Sequence, residues 1–294
     1  MKPAHGLDRV AIAVAPNGGR RSKADHPAIP LTPAELARTA AECADAGAAM
    51  IHVHVRDRSG NHLLDADAYR QAIAAIRGAA GDRLVVQITS EALGIYSPAQ
   101  QMAVVQDVKP QAVSLALREI VPDAGSELAF ARFMAWLRTE GVAPQIILYS
   151  PEEAVRLSDM QQRGLIPWAS IPVLYVLGRY TPGQTSVPAD LLPFLAANTP
   201  RFDHWSVCAF GRNEAACVIA AALLGGHIRV GFENNLFLPD GRIASSNAEP
   251  VATVARILAD CGVKIASAAE LAAQWNAPFR SYDKPKPIFG GKLA

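Results

Sequence analysis

At 294 residues, 50% hydrophobic and 19% charged, the chain has the length for one large α/β barrel or two medium domains, and its composition argues against wholesale disorder. A formal net charge of +1 argues against a dedicated nucleic-acid surface and leaves room for a small charged ligand held by a local cluster. Cys43, Cys208, Cys217 and Cys261 form no C-x-x-C pair and suggest no disulfide framework; no apolar leader follows Met1 and no apolar stretch reaches transmembrane length, so the expected location is the cytoplasm, off the membrane.

In chain order, short apolar strands alternate with amphipathic helices. Arg9–Ala15 reads as the first strand. The loop after it, Asn17-Gly18-Gly19-Arg20-Arg21, combines glycines that let backbone approach a ligand with arginines, Arg20 among them, that suit a carboxylate or phosphate; an ordinary solvated loop has the same composition. Lys23, Asp25 and His26 read as loop residues without a role. Thr32-Pro33 with Glu35 predicts the start of a helix over 33–47, stopped at Ala46-Gly47. Met50–Arg56 is the second strand, followed by a helix over 66–79 and the strand Leu84–Thr89, with His62 read as exposed. Ser97-Pro98 opens a helix over 98–107. Strands at Ala112–Leu117, Gln145–Tyr149, Ser170–Val176, His204–Ala209 and Ile228–Phe232 are each followed by a helix, near 126–139, 151–162, 187–196, 213–223 and 248–261. Eight such units predict an α/β fold, a (β/α)8 TIM barrel: a single domain over 1–274 with a C-terminal extension, an arm over 275–294. No G-x-G-x-x-G follows the first strand, which weakens a dinucleotide-binding reading.

One run stands apart: Ile51-His52-Val53-His54-Val55-Arg56-Asp57. Strand side chains alternate faces, so His52, His54 and Arg56 are expected on one face, with the imidazoles spaced by about 6.6 Å along the strand. Barrel active sites lie at the carboxyl ends of the strands, where the last strand offers Arg229 and Glu233, on one face by parity. Glu233 can complete a His₂Glu set with His52 and His54; two nitrogens favour zinc over magnesium. The pattern alone leaves open a hydrogen-bonded structural histidine pair. Thr89, Ser90 and Ser114 stand where hydroxyls could hold a substrate oxygen, or serve as caps and core hydroxyls. Arg212 stands at the same rim.

These stretches resemble the β-keto acid cleavage enzyme family. The likeness runs from Ala15–Gly19, His26-Pro27 and Pro30–Pro33, through Ala46–Ala48 and His52–Asp57, to Trp205–Val207, Gly211-Arg212, Gly225–Asn235 and Ser246–Glu249. The resemblance implies a (β/α)8 barrel with one catalytic Zn2+ in a homo-oligomer, a tetramer being favoured. It implies metal ligation by His52, His54 and Glu233, an active-site Arg229 paired with Asn234, and substrate contacts from Arg20, Thr89, Ser90 and Ser114. The implied reaction joins a small-molecule β-keto acid to a CoA thioester, acetyl-CoA as co-substrate, giving acetoacetate and a new acyl-CoA. Two positions depart from the family pattern. Asn234 stands where many members carry an aspartate, and an amide is no base at neutral pH. Arg20 stands where members acting on an amine carry an acid, which favours a neutral or anionic substrate tail. The competing expectations are a zinc-dependent barrel aldolase or hydrolase that ignores CoA, and a silent barrel that binds a keto acid.

Overall fold

The structure, a computed structural model, describes residues 9–276. In chain order the elements are β1 (Ile12–Val14), α1 (Pro33–Asp45), β2 (Met50–Val53), β3 (Val55–Arg56), β4 (His62–Leu63), α2 (Ala66–Ala80), β5 (Val85–Thr89), α3 (Pro98–Val108), β6 (Ala112–Ala116) and α4 (Leu117–Ile120). There follow α5 (Glu127–Glu140), β7 (Ala143–Leu148), α6 (Pro151–Gln162), β8 (Val173–Leu177), a 3₁₀ segment (Pro188–Leu195), β9 (Trp205–Ala209), α7 (Glu214–Leu223), β10 (His227–Val230), α8 (Ala248–Asp260) and α9 (Ala268–Trp275). Eight parallel strands close in the order β1-β2-β5-β6-β7-β8-β9-β10, and β10 pairs with β1. The predicted TIM barrel is therefore the fold.

Alternation sorts the strand residues into two cores. Outward side chains such as Ile12, Ile51, Val86, Val113 and Ile228 pack under the helices. Inward ones fill the barrel in layers. At the N-terminal end Ala11, Ala13, Met50, Val85, Ala112 and Ala143 are small enough for α9 to plug the barrel with Leu271 and Trp275. At the other end Ala116, Ile147, Leu174, Val176, Cys208 and Phe210 form a separate apolar floor. Between the two runs a polar layer. His52 Nδ1 donates to Gln87 Oε1 (2.8 Å), Gln87 Nε2 to Gln145 Oε1 (3.0 Å), and Gln145 Nε2 to Ser206 Oγ (3.3 Å).

Local signals explain the helix starts. Thr32 and Ser97 each close a capping box, with Glu35 and Gln100 respectively, and each precedes a first-turn proline. The structure differs from the expectation in four places. The second strand is interrupted at His54, and Val55–Arg56 pairs instead with His62–Leu63 in an antiparallel ribbon, so Arg56 leaves the barrel face. The expected helix over 187–196 is a 3₁₀ segment containing Pro193, whose missing N–H and bulky ring are incompatible with an α-helical interior. A short α4 precedes α5. Trp275 ends α9 rather than opening an arm; the rest of the expected arm, 277–294, lies outside the described residues. Among the described residues no helix is long and apolar enough to cross a membrane.

Candidate active site

The carboxyl ends of the strands form one mouth, and His52 and His54 meet there because the strand bends between them. His52 points into the barrel from β2. His54 sits one residue past β2, where Asn17 grips its backbone: the Asn17 amide donates to His54 O (2.9 Å) and Pro30 O (3.0 Å), and its oxygen accepts from His54 N (3.3 Å). The rings turn edge to face with centroids 5.1 Å apart and Nε2 atoms 3.2 Å apart.

Glu233 arrives from the other side of β1. The chain leaves β10 at Gly231 with φ +133°, and a Cβ there would stand 2.5 Å from Ala15 O, so glycine is required for this crossing. Glu233 N then donates to Ala15 O (3.0 Å). Its Oε2 comes to 3.7 Å from His52 Nε2 and 3.6 Å from His54 Nε2. Gly18 makes room: a Cβ on it would lie 2.6 Å from Glu233 Cγ. Arg229 donates to Glu233 Oε1 (3.2 Å) and Asn234 Oδ1 (2.9 Å). Arg229 and Glu233 do meet, but through a turn beyond the strand rather than by strand parity.

Burial sets the charge states. It holds His52 down to about 4, although Glu233 pulls the other way, and holds His54 well below the ordinary histidine range with help from His52, His62 and Arg56. Both rings are therefore neutral at pH 7. Burial alone would raise Glu233; the Arg229 guanidinium, with Arg179, outweighs it and brings the carboxyl below its usual range, so it is ionised. Glu91, at the mouth beside Arg179 (3.8 Å) and His54 Nδ1 (3.8 Å), is pushed up to about 7 by burial and by Glu233.

The three groups fit a metal ion. His52 Nδ1–H is committed to Gln87, which leaves a lone pair on Nε2. Glu233 Oε2 is buried with no hydrogen-bond partner. Ligands of a tetrahedral zinc bonded at about 2.0–2.1 Å lie roughly 3.4 Å apart; the sides of this triangle are 3.2, 3.6 and 3.7 Å. Among the described residues, this is the set of three His, Cys, Asp or Glu side chains found close enough to share an ion.

A cleft opens over the triangle, lined on one side by Thr89, Ser114 and Arg229 and on the other by Ile147, Val176 and Phe210. Ser114 Oγ is buried there without a partner, whereas Thr89 Oγ1 accepts from Glu91 N (3.0 Å). Ser90 lies behind this wall, its hydroxyl donating to Ser114 O (2.9 Å). Arg20 and Arg21 line an adjoining recess that shares Glu91, Arg179 and Phe210 with the cleft. Asn234 is buried behind Arg229. Arg212 leans on Phe237, its guanidinium carbon 4.0 Å from the ring centroid.

Arg56 holds the first loop instead of the barrel face: it donates to the carbonyls of Asn17 (3.4 Å), Gly18 and Arg21 (3.0 Å). His62 is buried rather than exposed, because the β3–β4 ribbon folds it against His54 (5.4 Å between centroids) with Nε2 on Glu91 O (2.8 Å). His26 is likewise buried, packed 4.5 Å from Phe232. Sequence reading missed Gln87, Glu91, Arg179 and Glu214. Glu91 and Arg179 each stand two residues beyond a strand end, the one signal that marked them.

A profile of the beta-keto acid cleavage enzymes matches residues 9–275. The chain belongs to the beta-keto acid cleavage enzyme family. Among characterised relatives of this beta-keto acid cleavage enzyme, the 3-keto-5-aminohexanoate cleavage enzyme of Fusobacterium nucleatum is 29% identical over 89% of this chain and 95% of its own length. The 3-dehydrocarnitine:acetyl-CoA trimethylamine transferase of Rhizobium meliloti is 31% identical over 87% and 92%. The 3-oxoadipate:acetyl-CoA acetyltransferase of Cupriavidus necator is 26% identical over 94% and 98%. Among solved structures, the ternary complex of ObcA with C4-CoA adduct and oxalate shares the fold at TM-score 0.65, with 19% identity over 85% of this chain and 67% of that one.

Proposed function

We propose that this enzyme condenses a β-keto acid with acetyl-CoA, releasing acetoacetate and the CoA thioester of the remaining acyl fragment. The observation that carries the reading is the His52, His54 and Glu233 triangle, with Arg229 alongside, at the active rim of a family barrel. The names of three relatives describe transfer from or to acetyl-CoA.

His52, His54 and Glu233 would hold zinc, which supplies a Lewis acid for negative charge developing on the keto oxygen. Arg229, fixed by Glu233 and Asn234, places a permanent positive charge beside that oxygen. Burial lowers its proton affinity, but Cys208 and Glu233 outweigh it and raise the pKa, so the guanidinium stays charged throughout. Ser114 Oγ, unpartnered in the cleft, donates to the substrate carboxylate, and Thr89 Oγ1 stands beside it. Glu91, a cleft carboxyl pushed up to about 7 by burial and by Glu233, takes the proton from the substrate's α-carbon, and Ile147, Val176 and Phe210 exclude water from the resulting carbanion, which attacks the acetyl thioester carbonyl and expels CoA thiolate. The thiolate then attacks the original keto carbon, the bond between it and the α-carbon breaks, the α-carbon takes the proton back from Glu91, and acetoacetate leaves. Arg20, Arg21 and Arg179 in the adjoining recess favour a neutral or anionic substrate tail over a cationic one.

Mass spectrometry of mixtures of zinc-loaded protein, acetyl-CoA and a panel of β-keto acids tests this. Acetoacetate and a new acyl-CoA are expected in equal amounts. His52→Ala is expected to lose bound zinc, measured by elemental analysis, together with turnover. Consumption of a keto acid without acetyl-CoA would instead identify an aldolase or hydrolase.

A further inference from the structure

Behind Arg229 lies a buried carboxyl group that the reaction scheme does not use. Glu214 is the first residue of α7 and is 2% exposed. An acid at a helix start is ordinarily explained by the helix's own N–H groups. This one turns away from them. Its Oε1 accepts from Gly231 N (3.2 Å) and Asn234 Nδ2 (3.3 Å), and its Oε2 from Asn235 Nδ2 (3.4 Å). All three donors belong to the turn that carries Glu233.

The consequence reaches the cleft through one amide. Asn234 faces Glu214 with its NH₂ and Arg229 with its oxygen. The reverse orientation would set NH₂ against the guanidinium, donor against donor, with Arg229 Nη2 only 2.9 Å away. Burial raises the Glu214 carboxyl to about 8, and protonated or not its Oε1 keeps lone pairs that accept from Gly231 N and Asn234 Nδ2, so it selects the orientation that Arg229 needs. Resting on the reaction proposed above, we propose that Glu214 is a positioning residue: acting through Asn234, it aims Arg229 at the substrate's keto oxygen.

An exchange of the two groups tests this. Glu214→Gln introduces NH₂ among donors and frees Asn234 to flip. Asn234→Asp sets two carboxyl groups face to face at about the present 3.3 Å. Each single change is expected to lower kcat by on the order of ten- to a hundredfold, with KM nearly unchanged. The double exchange E214Q/N234D restores one donor facing one acceptor and leaves a carboxylate oxygen for Arg229, so its kcat is expected to exceed that of both single variants. Recovery is incomplete because Gly231 N–H then faces an amide nitrogen. Melting temperatures of the four metal-loaded proteins are expected to show the same non-additivity. A kcat for Glu214→Gln equal to the parent's, or a double exchange no faster than the better single variant, overturns the proposal. A parent protein that forms no acyl-CoA, with a double exchange that still regains melting temperature, instead overturns the reaction and leaves the Glu214–Asn234 unit standing.

Discussion

A neutral imidazole offers a lone pair at only one of its nitrogens, and the partner of the other nitrogen decides which. For His52 that partner is Gln87 Oε1, and Gln87 is itself oriented by Gln145 and Ser206 across the barrel. Gln87→Leu removes the acceptor, leaves Nδ1–H buried and unpaired, and frees the ring to adopt the other tautomer. Its zinc affinity, measured by competition with a chelator, is expected to fall by about ten- to a hundredfold while all three ligands remain. An unchanged affinity would show that the glutamine only fills space. Alternation and the rim rule brought His52, His54 and Glu233 forward as candidates from the sequence, with a structural histidine pair left open, and the structure brings the three within reach of one another. Gln87 and Gln145 were not brought forward, since an amide within an apolar strand announces no partner. Glu91, Arg179 and Glu214 are single charges in different loops and at a helix start, and only closure of the barrel relates them. His62 looked exposed for a similar reason: its ribbon partner is set by the break at His54, which Asn17 imposes from another loop.

Among the elements, helix starts were the best-marked features, because caps are local. In the α1 box, Glu35 N donates to Thr32 Oγ1 (3.3 Å), while Glu35 Oε2 accepts from Leu31 N (2.9 Å) and Thr32 N (3.0 Å). Partial burial raises the Glu35 carboxyl, but Lys23 at 2.8 Å and these two N–H groups outweigh it and lower the pKa to about 2. The folded-state value lies below the unfolded one, so this contribution is complete above the usual glutamate range and is lost as pH falls towards about 2. Glu35→Ala is therefore expected to cost about 1 kcal/mol at neutral pH, and progressively less between roughly pH 4.5 and pH 2. Chemical denaturation of both proteins across that window measures the convergence; a gap that does not close would place the cost elsewhere than in the ionised box. Elements that depend on distant partners were less legible. The 3₁₀ segment carries its own warning in Pro193, whereas nothing near His54 in sequence predicts the grip of Asn17 that ends β2.

Across the whole molecule, the two ends of the barrel hold different properties. The polar triangle and cleft occupy the carboxyl ends of the strands, and a plug of small and aromatic side chains closes the other end. His227 belongs to that second end: its Nδ1 accepts from Ala11 N (3.0 Å) and its Nε2 meets Gln274 Oε1 (2.9 Å), tying α9 to the strand ends. Trp275, 4% exposed, is the largest side chain of the plug. Trp275→Ala removes it from a layer built mostly of alanines, which have few atoms with which to refill the space. The expected loss is about 3–5 kcal/mol, a fall in melting temperature on the order of 10 °C. The polar layer through Gln87 and Gln145 separates this end from the proposed ligands, so one zinc per chain is expected to bind the folded variant with its affinity unchanged. Calorimetric melting together with zinc titration reads both quantities. A variant that melts early and also loses zinc affinity would show that the plug braces the ligands across the barrel, and the division of labour between the two ends would fail.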